Sequence, residues 1–173
     1  IKFSPYSNQV YSADLGTDRF NIFYLNNNEL FYTNQEYIKL TPGAGPRHFA
    51  FHPDRETIFI INELNSTITC INKHGDSWEE FQTISTLPPG FKGTSYSADI
   101  HISNDGRFLY ASNRGDNSIA IFVIESTKKR LLFVGTISTE GDWPRNFTIS
   151  PDGKFMLVAN QNSGNITVFK VDP

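Results

Sequence analysis

The chain has 173 residues, of which 38% are hydrophobic and 14% aromatic, and its formal net charge at pH 7 is -3. Apolar and aromatic side chains at this level indicate a folded, strand-rich protein and argue against disorder. The weak negative charge and the lack of Lys/Arg runs disfavour nucleic acid or an anionic membrane as a partner, so a small molecule or a protein is expected. No apolar stretch reaches the roughly 20 residues that a membrane-spanning helix needs, which favours a cytoplasmic protein.

Four segments along the chain share one template and predict a repeated structure. Each segment has a short apolar strand, a turn rich in Pro, Asp or Gly, a second strand, and a closing Asp or Asn. The same anchor position in the turn is occupied by Pro5, Pro53, Asn104 and Pro151, which lie 48, 51 and 47 residues apart. A third strand follows every anchor at a fixed distance, with Phe20, Ile68, Ile119 and Ile166 in equivalent positions.

A fourth strand is readable over residues 79–86 and again over residues 131–139. Four strands in a unit of about 50 residues are typical of the blades of a β-propeller. A β-sandwich also has many short strands, but it would not repeat one template at near-constant spacing. The expected fold class is therefore all-β, a β-propeller of four-stranded antiparallel blades, with residues 1–173 forming part of one propeller domain.

Three to four blades do not close a ring, since a propeller has typically about 4 to 8 of them. Each blade buries its two faces against its neighbours, so an open arc would leave two apolar faces in water. The chain also begins at Ile1, inside a predicted strand. We therefore expect this chain to be about half of a larger propeller that needs further blades for ring closure.

The antiparallel order predicts which loops share one end of the propeller. The loop that enters strand one and the loop that joins strands two and three lie at the same end of a blade, opposite the Asp-Gly hairpins. Because the first strands line the axis, this end should form a mouth with seven converging polar residues: Arg47, His48, Glu63, Asp99, His101, Arg114 and Arg145. Three arginines near one carboxylate suit a small anionic ligand, because guanidinium groups bind phosphate and carboxylate in a bidentate way.

Several of these positions also have a purely structural interpretation. A loop arginine is usually a solvated surface charge, and Glu63 could cap a turn. The residues Asn62, Asn113 and Asn160, which close the second strands, are expected to bond the backbone that follows them, as Asx side chains do in turns.

The sequence carries no Cys/His cluster at zinc spacing, no P-loop and no G-x-S-x-G elbow. Neither a metal site nor a cofactor is therefore predicted. An enzyme built on this mouth would use acid–base or electrostatic catalysis, with Glu63 or a histidine as base and the arginines stabilising an oxyanion or enolate.

Five ordered segments resemble the seven-bladed propeller lactonase family, which includes the bacterial propeller-type 6-phosphogluconolactonases. They are ADLGTDR at 13–19, GAGPRHFAFHP at 43–53, NELNS at 62–66, SADIHISNDGRFLYASNR at 97–114 and WPRNFTISPDGKFMLVANQNS at 143–163. The resemblance covers essentially the whole chain and implies seven blades in the complete ring. It also implies hydrolysis of a sugar lactone, 6-phosphogluconolactone, in carbohydrate metabolism.

The same family includes a fungal enzyme that closes carboxymuconate to its lactone. Its proposed active-site residues carry over by motif to Arg47, Glu63 and Arg114 as catalytic residues, while its histidine would precede Ile1. We assign His48, Asp99, His101 and Arg145 to substrate binding, and His48 and His101 match residues that are common in the lactonase branch. Two alternatives stay open: a lactonising isomerase, and a propeller that binds a ligand or protein without catalysis.

Overall fold

The structure is a computed structural model and describes residues 1–172. Its strands form four separate antiparallel sheets, each joined in chain order. The first sheet contains β1 (Lys2–Phe3), β2 (Gln9–Asp14), β3 (Arg19–Asn26) and β4 (Glu29–Lys39). The second contains β5 (Pro46–Phe51), β6 (Thr57–Asn62), β7 (Thr67–His74) and β8 (Ser77–Ser85).

The third sheet contains β9 (Tyr96–Ile102), β10 (Phe108–Arg114), β11 (Ser118–Ile124) and β12 (Leu131–Ser138). The fourth has three strands, β13 (Pro144–Ile149), β14 (Phe155–Asn160) and β15 (Asn165–Lys170). These four sheets confirm the predicted all-β fold of antiparallel meanders. The strands expected at 79–86 and 131–139 are present as β8 and β12. By contrast, β4 is not evident from the sequence because its residues are largely exposed and show no clear apolar alternation.

One backbone feature recurs in every repeat at the turn between the second and third strands. The residue 13 positions after each anchor has a positive φ: 54° at Asp18, 51° at Ser66, 53° at Asn117 and 67° at Gly164. This left-handed conformation is accessible to Gly and comparatively favourable for Asx residues. The four turns therefore keep one shape, and they hold the third strand at a constant offset from the anchor.

The core consists of three apolar clusters, one between each pair of neighbouring sheets. Tyr11 and Phe20 of the first sheet pack against Phe49 of the second, and corresponding clusters join the second sheet to the third and the third to the fourth. The inner strands β5, β9 and β13, each at one edge of its sheet, also pack against one another. Face-to-face sheets around a shared set of inner strands are the arrangement of propeller blades.

The burial patterns distinguish inner blades from end blades. All six residues of β6 are buried, because both faces of the second sheet are covered. In β14 only alternate residues are buried, and Phe155 and Leu157 on its other face are exposed. The first sheet likewise exposes Leu30 and Tyr32. The arc thus ends in two apolar sheet faces, as expected for part of a ring. No helix within residues 1–172 has the length and apolar character required to cross a membrane.

The prediction that Asn62, Asn113 and Asn160 cap turns is wrong. All three amides are buried, with at most 2% exposure, and they bond groups of the third strand or of the connection from the preceding blade. Asn113, for example, donates to the Thr86 carbonyl at 2.9 Å and accepts from the Thr86 hydroxyl at 2.7 Å. The side chain is buried within the blade, where it bonds these groups rather than a turn amide.

The expected capping contact is found instead in the first repeat. There the equivalent residue is the partly exposed Asp14, whose Oδ1 accepts from the backbone amides of Gly16 at 3.1 Å and Thr17 at 3.3 Å.

Candidate active site

A β-bulge at the start of three inner strands sets the positions of the mouth residues. In the second sheet Pro46 pairs with Asn62 and His48 with Ile61, so Arg47 is the extra residue. The same shift in the fourth sheet makes Arg145 the extra residue, and in the third sheet it falls between Ser97 and Ile100. A bulge redirects a side chain that regular pleating would send elsewhere. Each of these strands therefore has, near its start, one side chain whose direction is changed by the bulge. The equal spacing of the repeats does not predict this bulge.

The loop that precedes Arg47 is fixed by the neighbouring blade. Asp18 accepts from the backbone amides of Gly43 at 2.7 Å and Gly45 at 2.8 Å. These hydrogen bonds, with Gly45 the stronger cause, hold the pKa of Asp18 below its usual range. Gly45 has a φ of 63°, and a Cβ at this position would lie 2.5 Å from Cγ of Leu64. The short loop therefore needs both the Asp18 carboxylate and a glycine to present Arg47.

Arg47, Glu63 and Arg114 form a continuous ion-paired group at the mouth. The Arg47 Nε lies 2.9 Å from Oε2 of Glu63, and the Arg114 Nη2 lies 2.9 Å from Oε1 of the same carboxylate. Glu63 is itself held by its backbone amide, which donates to the Gly45 carbonyl at 2.7 Å. The structure thus brings together the three residues that the sequence selects as catalytic, with the carboxylate bridging two guanidinium groups.

Both arginines are also anchored to the third blade. Nη1 of Arg47 donates to the Ala98 carbonyl at 2.7 Å, and Nη2 of Arg114 donates to the Ser97 carbonyl at 3.1 Å. Arg114 is only 4% exposed, and its guanidinium lies 5.6 Å from the ring centroid of Trp143. These contacts make the two guanidinium groups fixed donors rather than solvated surface charges.

The mouth carries more positive than negative charge. Burial lowers the pKa of Arg47; Glu63 opposes this, while the nearby charges of Arg114 and Arg145 lower the pKa further. Arg145 is exposed and donates from Nη1 to Oε1 of Gln161 at 3.1 Å, so it stands apart from the ion-paired group. Three guanidinium groups around one carboxylate leave an excess of positive charge that a bound anion would offset.

Asp99 and His101 form a second polar group, further along β9. Oδ2 of Asp99 lies 3.2 Å from Nε2 of His101. The same oxygen accepts from Nδ2 of Asn146 at 2.5 Å and from the backbone amide of Phe147 at 3.1 Å, both in the fourth blade. Asp99 therefore joins two blades and orients one histidine. It is 6% exposed, whereas 36% of the His101 side chain is exposed.

His48 and Lys2 lie close to this second group. His48 is half-buried, and burial together with the positive charge of Arg47 lowers its pKa to about 4. Lys2 donates from Nζ to the Phe49 carbonyl at 2.7 Å and joins the first blade to the second. Lys2 is not among the residues predicted at the mouth, although it lies three residues before its anchor, as His101 does. Comparing that offset across the repeats would have found it.

No group of three or more His, Cys, Asp or Glu side chains that could hold a metal ion is present within residues 1–172. The polar groups available for chemistry at the mouth are guanidinium, carboxylate and imidazole. This combination can bind an anion, stabilise an oxyanion and transfer a proton.

The fold and the mouth together define a β-propeller protein with a cationic site at one end of its inner strands. The family described as "Lactonase, 7-bladed beta-propeller" matches residues 1–173. The chain therefore belongs to the seven-bladed β-propeller lactonase family, as the resemblance of its motifs indicates.

Relatives with printed activities support this assignment. The chain is 38% identical over 147 residues to the 6-phosphogluconolactonase of Bacillus subtilis, a match that covers 84% of this chain and 42% of the relative. It is 44% identical over 117 residues to the 6-phosphogluconolactonase of Photorhabdus laumondii, covering 66% of this chain and 34% of the relative.

A solved structure shows the same architecture. The periplasmic gluconolactonase of Pseudomonas aeruginosa matches with a TM-score of 0.93 and 34% identity, over 99% of this chain and 49% of that one. The chain thus spans less than half the length of each of these relatives. This coverage agrees with the two exposed sheet faces in indicating a partial propeller.

Proposed function

We propose that the mouth of this chain forms part of the active site of a lactone hydrolase, which opens 6-phosphoglucono-1,5-lactone to 6-phosphogluconate in carbohydrate metabolism. The observation that carries the proposal is the bridged group of Arg47, Glu63 and Arg114. Its fixed guanidinium donors suit a reaction in which negative charge develops on a carbonyl oxygen. The names of the two curated relatives support the phosphorylated substrate.

The chemical step is the attack of water on the lactone carbonyl. A bond forms between the water oxygen and the carbonyl carbon, and the carbonyl oxygen becomes an oxyanion. Arg47 and Arg114 stabilise that oxyanion with guanidinium N–H donors whose positions Glu63 fixes. The ring C–O bond then breaks, and the ring oxygen leaves as a hydroxyl after taking up a proton.

Phosphate binding is assigned to Arg145, the arginine of the mouth that lies outside this group. Arg145 is exposed and is held only at one end by Gln161, so its guanidinium can turn toward a phosphate. His48 and His101 lie on inner strands and, with Asp99 in the seam between two blades, complete the proposed substrate-binding set at the sugar ring. The missing blades are proposed to close the ring opposite these residues.

A coupled assay tests the proposal on the full-length protein. The lactone is generated in situ, and its product is followed by NADP reduction with 6-phosphogluconate dehydrogenase, after subtraction of the spontaneous rate. We expect protein-dependent hydrolysis, with the phosphorylated lactone preferred over glucono-1,5-lactone, whose hydrolysis is followed separately by the acid that it releases. Equal rates for the two lactones would contradict the phosphate assignment, and no rate above background would contradict the hydrolase assignment.

An assay with carboxymuconate and its lactone, together with a binding measurement, separates the alternatives. Activity only in closing or opening a carboxymuconate lactone would indicate a lactonising isomerase, and ligand binding without turnover would indicate a binding propeller. A cytoplasmic location stays a prediction, since one similar structure is named a periplasmic enzyme.

A further inference from the structure

The proposed hydrolysis needs a group that removes a proton from the attacking water. Glu63 is poorly placed for that task, because both of its oxygens are held by guanidinium groups at 2.9 Å. Taking up a proton would neutralise the carboxylate and weaken both ion pairs. The contacts of Glu63 therefore suit the positioning of Arg47 and Arg114 rather than base catalysis.

His48 is the nearest histidine to the ion-paired group in sequence. Burial and the neighbouring Arg47 lower its pKa to about 4, so that its imidazole is neutral near pH 7 but is a weak proton acceptor. A general base works best when its pKa lies close to the working pH, because its unprotonated form is then present and still basic. His48 therefore does not meet the requirement.

His101 has the geometry of an oriented base. Its Nε2 lies 3.2 Å from Oδ2 of Asp99, and its ring packs edge-on against Phe147 with the centroids 4.7 Å apart. An ionised carboxylate only accepts hydrogen bonds, so Nε2 carries the proton and Nδ1 keeps a free lone pair. More than a third of the side chain is exposed, so solvent and ligand can reach the ring.

Asp99 is itself held in one orientation by groups on both sides of the blade seam. Its Oδ1 accepts from the Ile100 amide at 2.9 Å, while Oδ2 accepts from Asn146 and Phe147 of the next blade. Burial would raise the pKa of Asp99, but the hydrogen bond and charge of His101 and the two backbone amides lower it overall. The carboxylate thus stays ionised, and a fixed carboxylate behind a histidine sets both tautomer and ring orientation.

The Asp99–His101 pair lies on β9, close to the carbonyl group that Arg47 contacts. Arg47 bonds the Ala98 carbonyl, and His101 follows three residues later on β9, which corresponds to roughly 10 Å of strand. A bound lactone can therefore have its carbonyl oxygen at the guanidinium groups, with the attacking water between the carbonyl carbon and the imidazole.

We propose that His101 is the general base of the lactone hydrolysis and that Asp99 is its positioning residue. This assignment rests on the proposed function. Nδ1 of His101 accepts a proton from water as the water oxygen bonds to the carbonyl carbon. The resulting imidazolium returns that proton to the ring oxygen when the C–O bond of the tetrahedral intermediate breaks. The histidine thus ends each turnover in its starting form.

The test compares His101→Gln and His101→Ala with the wild type in the full-length protein. Gln keeps an N–H donor for Asp99 but has no basic nitrogen, so it separates base catalysis from the structural contact. The matched control is His74→Ala, because His74 is an exposed histidine at the end of β7. Folding of each variant is checked by its melting temperature.

We expect kcat of both His101 variants to fall by about 10²- to 10⁴-fold with KM changed by less than about threefold, the usual size of a general-base contribution. Added imidazole should restore part of the activity of His101→Ala, which leaves room for it, and none to His101→Gln. A structural role would not produce such rescue. The control should keep the wild-type kcat.

The outcomes separate the two proposals. An active wild type together with a folded His101→Gln variant of near wild-type kcat would overturn the base assignment alone. A loss of activity in His101→Ala that imidazole does not restore at any concentration tolerated by the wild type would also overturn it. A wild-type protein without lactone hydrolysis would overturn the proposed function and the base assignment with it.

Discussion

Each end of the propeller carries an ion pair between an arginine and a carboxylate, but the surroundings of the two pairs differ. At the hairpin end, Nε of Arg107 lies 2.6 Å from Oδ2 of Asp105, and the two side chains are 62% and 45% exposed. At the mouth, Nε of Arg47 lies 2.9 Å from Oε2 of Glu63, and the two side chains are 17% and 20% exposed. The shorter ion pair is the one that contributes less, because an exposed pair is worth only about 0 to 1 kcal/mol.

The difference also lies in how each pair is assembled. Arg107 and Asp105 are two residues apart in one turn, where Asp105 also accepts from the Arg107 amide at 3.0 Å. At the mouth, Arg47 lies on β5 and Glu63 directly follows β6 of the second blade, and Arg114 of the third blade is a third member. The ion pair at the hairpin end forms within a single turn. The ion-paired group at the mouth forms only when two blades pack against each other.

The largest expected effect is that of Arg114→Met, which removes the most buried member of the mouth. Glu63 would keep only Arg47, and the carbonyls of Tyr96 and Ser97 would lose their donor. We expect hydrolysis to fall by at least about 100-fold, the cost of losing an oxyanion donor. We also expect the free energy of unfolding, measured by denaturant titration, to fall by about 3 kcal/mol, the lower end for breaking a buried ion pair.

Arg107→Met is the matched control at the hairpin end. It should change the free energy of unfolding by no more than about 0.5 kcal/mol and leave hydrolysis unchanged. Equal losses of stability and of hydrolysis in the two variants would contradict the difference between the mouth and the hairpin end.

Glu63→Gln should have a somewhat smaller effect. The amide oxygen can still accept from one guanidinium, but the bridge that aligns both arginines is lost. Displacing a catalytic group by about 1 Å can lower the rate about 100-fold. The mouth would also gain positive charge, so inorganic phosphate should inhibit the variant more strongly than the wild type. Weaker inhibition by phosphate than in the wild type would contradict the assignment of an anion site here. Asp105→Asn is the control, with kcat and inhibition unchanged.

Asp18→Ala tests the loop that presents Arg47. Without the carboxylate, the amides of Gly43 and Gly45 lose their acceptor and the loop gains freedom. We expect kcat/KM to fall by about 10-fold, within the range for imperfect positioning of a catalytic group. The control is Asp152→Ala, since Asp152 makes similar backbone contacts in a hairpin at the opposite end. An unchanged kcat/KM in Asp18→Ala would show that the loop is held without this residue.

The smallest expected effect concerns pH. The pKa of His48 is lowered to about 4 in the folded protein, below its ordinary value of 6.5. The unfolded chain therefore binds a proton here first as the pH falls, so His48 lowers stability progressively between pH 6.5 and pH 4. The variant His48→Gln should lose less stability than the wild type over this range, as followed by melting temperature. Equal losses of melting temperature in the two proteins would contradict the lowered pKa of His48.

The arrangement of the mouth is predictable from the sequence because the fold repeats. Equal offsets from the anchors place Arg47, Glu63 and Arg114 at one end of neighbouring blades before any contact is known. The contacts themselves are not predictable in the same way. The bulge that redirects Arg47 depends on the register between β5 and β6, and the sequence alone does not fix that register.

Other features were missed for different physical reasons. The fourth strand of the first blade, β4, is mostly exposed, so its sequence lacks the alternation by which strands are recognised. Asn113 suits a turn by its residue type, but burial gives it partners in the third strand and in the connection from the preceding blade. Asp99 and His101 were predicted at the mouth, whereas their mutual orientation depends on Asn146 and Phe147 of the next blade.

The most direct test of the mouth as a catalytic site is the rate of 6-phosphogluconolactone hydrolysis by Arg47→Ala in the full-length protein, beside Arg107→Ala. If Arg47 stabilises the oxyanion, kcat should fall by about 10²- to 10³-fold in the first variant. The second should match the wild type. Near-normal turnover by a folded Arg47→Ala variant would contradict the assignment.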